Sequence, residues 1–135
     1  MADLKDIRNR NLYAIIFFLG AFGVIFGAFG AHYLAEHLTA KQLITFKTGV
    51  LYHFIHVLSA ILVLIIADYK DAASLVIASK LFVLGIILFS GSLYLLSTRE
   101  LIGLVNYKWL GPLTPIGGLF FIIGWVRAAI YFCKA

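Results

Sequence analysis

The side chains best suited to chemistry in this sequence are four polar residues set in an apolar run: Tyr52, His53, His56 and Ser59. At 100° per residue they share one helical arc of roughly 140° with Thr45, Thr48, Gly49 and Ala60, while Lys47 points away from it. With the hydrocarbon edge set near Lys47, the helical rise puts His53 about 9 Å and His56 about 13 Å deep. Ionisable groups at such depth are costly and by default mark functional sites. Imidazoles at i and i+3 could ligate a metal or haem, relay a proton, or hold a polar headgroup or a quinone. The alternative is structural, with neutral imidazoles hydrogen-bonding between helices and holding their register.

A metal centre wants three or four ligands, and no intramembrane Asp or Glu accompanies the histidines, while Cys133 sits at the opposite end. Haem needs fewer ligands, but the C-x-x-C-H attachment motif is missing. Neither a metal nor a cofactor is therefore expected. His32, Glu36 and His37 contain an i, i+4 His/Glu pair, expected as a solvated surface pair. No G-x-S-x-G elbow, H-E-x-x-H, Walker loop or pair of intramembrane carboxylates is present, so the sequence predicts a protein that is not an enzyme.

A second constellation is built from small residues. Gly20, Gly23, Gly27, Gly30 and Ala31 lie within roughly 100° of arc, and Gly23 and Gly27 form a G-x-x-x-G. Each glycine costs a helix about 1 kcal/mol relative to alanine, so a run of them on one face implies close backbone contact in return. That face either associates with another chain or packs against a helix of the same chain.

The elements that must position these residues follow from composition. Of 135 residues only 13% are charged and 63% are hydrophobic, against about 25% charged in a soluble domain. A chain this short could bury such an excess in water only by being nearly all core. It is a membrane protein, which excludes an ordinary soluble enzyme, a disordered chain and a collagen. The single Cys133 excludes a disulfide framework. The net charge of +5 comes from cations dispersed singly between apolar runs, so the expected partner is the lipid bilayer and not nucleic acid.

Four stretches reach the roughly 20 apolar residues needed to span a bilayer: about 11–35, 39–67, 75–97 and 113–133. Thr39 and Gln42 have the spacing of a capping box, and 38–46 is expected as a short interfacial turn leading into the second span. Thr114 is expected to cap the fourth span, with Pro115 at its first helical position. Tyr13, Tyr107, Trp109 and Tyr131 suit interfacial aromatic belts. The predicted fold is all-α: one integral membrane domain over 1–135, an antiparallel bundle of four transmembrane helices.

Lys5, Arg8, Arg10, Lys70, Lys80, Arg127 and Lys134 fall on one side of such a bundle, and Lys41, Lys47, Arg99 and Lys108 on the other. The excess of cations predicts both termini in the cytoplasm; Asp3, Asp6, Asp68 and Asp71 share that side, but acids contribute little to orientation. Lys47 and Arg127 sit close enough to helix ends to snorkel. The first apolar run exceeds the 7 to 15 residues typical of a signal peptide, so a retained span is expected.

Four strings carry a family resemblance: Gly27 to His32 (GAFGAH), Phe46 to His56 (FKTGVLYHFIH), Phe89 to Leu95 (FSGSLYL) and Leu110 to Leu119 (LGPLTPIGGL), closing on Gly124 and Trp125. In this order and spacing the chain resembles, over nearly its whole length, the UPF0382 family of small bacterial membrane proteins, also known as domain of unknown function 423. The resemblance implies a four-helix, multi-pass protein of the bacterial cytoplasmic (inner) membrane and supplies no reaction. It adds His32, Ser90, Ser92, Thr114 and Pro115 to Tyr52, His53 and His56 as candidate positions. The Arg99-Glu100 pair and the long connection through Trp109 depart from the family pattern, both in a loop. Two readings of function remain open. One is a non-enzymatic protein that associates with itself or with a larger membrane complex through the glycine face. The other is an intramembrane binding or transport protein that uses the Tyr52, His53 and His56 stripe for a proton, haem, metal or lipid-soluble ligand.

Overall fold

The computed structural model describes residues 8–134, so Asp3, Lys5 and Asp6, which enter the orientation count, lie outside the described residues, as does Ala135. Regular structure among the described residues is helical throughout: α1 (Arg10–Ala31), α2 (Tyr33–His37), α3 (Ala40–Lys70), α4 (Ala73–Gly85), a π-helical segment (Ile86–Ser90), α5 (Gly91–Thr98) and α6 (Leu110–Lys134). Four spans are long and apolar enough to cross a membrane: Arg10–Ala31, Ala40–Lys70, Ala73–Thr98 and Leu110–Lys134.

The first span ends earlier than the hydropathy predicts. At His32 the backbone leaves the helical region (φ −108°, ψ −85°), and the short α2 turns Leu34 inward against Phe46 and Tyr94. Thr39 then caps α3 as the spacing requires: its Oγ1 accepts from the Gln42 N–H at 3.3 Å, and the Gln42 side chain accepts from the Thr39 N–H at 2.9 Å. Residues 38–46 do not form a turn separate from the second span. The capping box opens α3 itself, whose 31 residues run about 46 Å at the helical rise and so project beyond a hydrocarbon core about 30 Å thick. Asp71 closes α3 in the left-handed region (φ 52°), which its short polar side chain tolerates, and α4 begins two residues later.

The fourth span also differs from expectation. It starts at Leu110, so Thr114 is not its cap and Pro115 lies inside the helix. The first amides are satisfied by a preceding turn, with Leu110 N–H donating to Tyr107 O at 2.9 Å and Gly111 N–H to Lys108 O at 3.3 Å. Spanning helices tolerate such a proline because neighbouring helices and hydroxyl side chains satisfy freed polar groups. Thr114 uses its hydroxyl for that kind of link, pairing with Ser92 of α5 at 2.7 Å.

The helices run alternately up and down. Arg8 pairs with Asp71, Asn9 donates to Asp68 at 2.5 Å and Arg127 donates to Ser74 O at 3.2 Å, so the start of α1, the α3–α4 turn and the end of α6 meet at one end. The core joins Val57, Leu64, Leu75, Phe82, Ile86 and Phe121 from α3, the third span and α6. Within its most apolar stretch only 11% of α1 is buried, against 44% of α3. It packs along α3 and meets α5 through Phe26 and Tyr94, beside a groove of about 740 Å³ lined by both helices.

Candidate functional site

The two histidines are buried, each 3% exposed, but they face different neighbours. On an ideal wheel, residues at i and i+3 differ by about 60°, enough to send two rings from a central helix toward opposite sides of a bundle. His53 turns to α1 and α5: its Nε2–H donates to Leu19 O at 2.8 Å, and Tyr94 O–H donates to Nδ1 at 3.0 Å. His56 turns to α6: its Nδ1–H donates to Tyr52 O at 2.8 Å, and Trp125 Nε1–H donates to Nε2 at 3.2 Å. These partners assign both nitrogens of His56 and the Nε2–H of His53, since a carbonyl only accepts and an indole N–H only donates; for a neutral His53, Nδ1 is left to accept from Tyr94 O–H. The partners of His56 hold it neutral, both nitrogens of His53 are engaged as well, and the two rings do not converge on a common ligand. Among the described residues no three His, Cys, Asp or Glu side chains come together.

Of the other stripe residues, Tyr52 stays with His56, the two rings stacked with centroids 5.9 Å apart, while Ser59 does not join them. Ser59 Oγ donates to its own helix at Ile55 O, 2.7 Å away, and Tyr52 stays 39% exposed with its ring 4.8 Å from that of Phe89. His56 stacks flat on Phe121, ring centroids 3.5 Å apart and planes 8° from parallel. Two partners, Tyr94 and Trp125, fall within the family-like strings but not among the candidate site residues read from the sequence. The available signal for Tyr94 was a tyrosine within the third apolar stretch, a residue whose hydroxyl needs a partner when buried.

Around His53 the walls are aromatic. Tyr94 is seated over Gly49, where a Cβ would lie 3.0 Å from its ring, and is flanked by Phe26 and Phe46 at centroid distances of 4.6 and 4.9 Å. Tyr94 and His53 both line the groove between α1 and α5, together with Phe22, Phe29 and Gly91. Among the further candidates, Ser92 donates to Phe89 O at 2.9 Å besides meeting Thr114. Ser90 Oγ is buried with no hydrogen-bond partner among the described residues. His32 is exposed, and His37 donates Nδ1–H to Tyr33 O at 2.8 Å while stacking on Tyr33.

The glycine arc of α1 meets α3 of the same chain. A Cβ at Gly20 or Gly27 would touch Val57 or Val50 at 3.6 Å, one at Gly23 would press Phe54 at 3.1 Å, and one at Gly30 would reach the Phe46 ring at 2.8 Å. Close approach within the chain engages this face. Tighter contacts lie elsewhere: a Cβ at Gly117 of α6 would overlap the backbone of Phe89 in the π segment, and one at Gly85 would overlap the Phe121 ring.

Four packed spans with a satisfied polar pair beside an intramembrane groove define a small multi-pass integral membrane protein. A family model described as a protein of unknown function, DUF423, matches residues 26–118. The chain is 41% identical over 105 residues to the UPF0382 membrane protein YwdK of Bacillus subtilis, covering 77% of this chain and 80% of that protein. A UPF0382 membrane protein of Haemophilus influenzae is 37% identical over 123 residues, 91% of this chain and 93% of its own length. The UPF0382 inner membrane protein YgdD of Escherichia coli is 36% identical over 115 residues, 82% of each chain. The chain belongs to this family, DUF423 or UPF0382. No solved structure matches it.

Proposed function

We propose that the chain is a non-enzymatic intramembrane binding protein that holds a lipid-soluble molecule in the groove between α1 and α5. The observation that carries this reading is the groove: about 740 Å³, apolar and aromatic, with the His53–Tyr94 pair among its lining. Small-molecule sites have volumes of about 300 to 1,000 Å³ and a few polar groups that orient the ligand. Tyr94 hydrogen-bonds through its O–H to His53 and keeps acceptor capacity on its oxygen, so the complementary ligand is an apolar body bearing one hydroxyl or N–H. Among the described lining residues the only base is His53, whose nitrogens are both engaged, which argues against catalysis there.

Gly91 supplies the test. It lines the groove, yet a Cβ there meets nothing within 4 Å, so a phenylalanine would plug the space without clashing at its root. Wild type purified in mild detergent is expected to release a stoichiometric apolar compound on solvent extraction, and Gly91→Phe to melt at least as high while releasing none. Equal recovery of the same compounds from both proteins would refute the reading.

Association with a second copy or a larger membrane complex is the second reading, favoured by the thin cover on α1. With the glycines turned to α3, the outward face of α1 presents Phe17, Phe18 and Val24, all more than half exposed. Native mass spectra of the same samples count the chains directly.

We also place both termini in the cytoplasm of a bacterial inner membrane. Support comes from Arg8, Arg10, Lys70, Lys80, Arg127 and Lys134 outnumbering the four cations at the other end, and from the inner-membrane designation of the relative YgdD. A reporter that fluoresces only in the cytoplasm is expected to light up after Ala135, and alkaline phosphatase to be active when fused near Glu36 or Tyr107. Phosphatase active after Ala135 and inactive at both other sites would invert the topology.

A further inference from the structure

Where the first turns of α1 pass the third and fourth turns of α4, the surface changes from charged to apolar within one helical turn. Arg10 and Lys80 stand at the mouth of a cleft of about 600 Å³, separate from the groove, whose wall continues inward as Leu12, Ile15 and Leu84. Among the described residues the nearby carboxylates are already engaged: Asp71 by the Arg8 guanidinium and Asp68 by the Asn9 carboxamide. Among the described residues neither Arg10 nor Lys80 has a carboxylate partner.

Lys80 lies seven residues into α4, about 10 Å along its axis, and is exposed on the outside of the bundle. Hydrocarbon cannot solvate an ammonium at that position. Its stem must carry the charge back to the headgroup layer, toward Arg10 at the start of α1.

We infer that this cleft binds an anionic phospholipid, with the phosphodiester between Arg10 and Lys80 and one acyl chain along Ile15 and Leu84. Two features together select that occupant. The paired cations repel the ammonium of a zwitterionic choline headgroup and attract a net negative one. The apolar wall lies directly inward of the cations, where an acyl chain attached to the bound phosphate must descend, and it offers nothing to a free inorganic anion. Asn11, exposed at the same mouth, adds a carboxamide that can both donate to and accept from headgroup hydroxyls. The site stands independently of the α1–α5 groove and of which leaflet the termini face.

The test is native mass spectrometry of the full chain in mild detergent, titrated with phosphatidylglycerol. Wild type is expected to hold one phosphatidylglycerol about tenfold more tightly than phosphatidylcholine, and R10Q/K80Q to lose about tenfold of that affinity. Both side chains are exposed, so the packing is untouched. The charge-preserving R10K/K80R is expected to bind like wild type, and so is K41Q/K108Q, which removes two cations at the other end of the bundle. Undiminished binding by R10Q/K80Q overturns the proposal. So does an equal loss in K41Q/K108Q, which would reduce the attraction to net charge. Displacement of the lipid by equimolar inorganic phosphate also overturns it, by assigning the cations to a free anion.

Discussion

Gly117→Ala is expected to destabilise the bundle more than any other single methyl group added to the chain. The new Cβ would overlap the backbone N of Phe89 and lie 2.8 Å from its Cα. At Gly30 and Gly124 the crowded neighbours are the rings of Phe46 and Phe82, which can tilt, whereas the backbone of the π segment moves only if the third span moves. Overpacking a core costs about 1 to 3 kcal/mol and occasionally more, and backbone obstruction puts this position at or beyond the top of that range. The gain in helix propensity, about 1 kcal/mol for glycine to alanine, does not offset it. Thermal unfolding in mild detergent should show a Tm lower by about 10 °C or more, or no folded protein. Gly111→Ala in the same helix, where a Cβ meets nothing within 4 Å, is the internal comparison and should melt at or above wild type. A Gly117→Ala protein melting within about 2 °C of wild type would show that α6 and the third span separate at little cost.

At His56 the question is whether the ring or its hydrogen bonds carry the stability. Interhelical hydrogen bonds in a bilayer contribute about 0.6 kcal/mol on average and at most about 1.7. Truncating a buried aromatic ring to alanine costs about 3 to 5 kcal/mol. His56 lies flat against Phe121, 5.5 Å from the Phe82 ring and within hydrogen-bond reach of Trp125. His56→Ala should therefore lose about 3 kcal/mol. His56→Phe keeps the stack, leaves the Trp125 N–H unpaired and should lose about 1 kcal/mol. Equal losses in the two variants would mean that the polar contacts dominate and that the stacking is incidental.

The spans, the Thr39 capping box and the placement of His53 and His56 inside the bundle were legible on the sequence, because hydropathy and local spacing are one-dimensional signals. The partners of the histidines were not. They depend on how α3 is rotated between α1 and α6, and a 60° difference on the wheel sends His53 to Tyr94 and His56 to Trp125. The glycine arc carried no means of telling an intrachain neighbour from another molecule, since both need the same close approach. Pro115 misled for a related reason: its preference for a first helical position is learned in water, where no neighbouring helix stands by to compensate. Nothing in the run from Ile86 to Ser90 announces a π segment, because its apolar residues satisfy either winding.

That segment decides where the third span can lose a residue, in a way hydropathy does not register. A π turn amounts to one extra residue in an α-helix. Deleting one residue between Ile86 and Ser90 is therefore absorbed by rewinding the segment as α-helix, with the halves on either side left near their present phase. A deletion in the plain α-helix of α4 has no such slack and turns everything after it by about 100°, which would swing Tyr94 away from His53 and Ser92 from Thr114. The π turn thus works as a one-residue reserve: it is the place in the third span where chain length can change while the far half keeps its orientation.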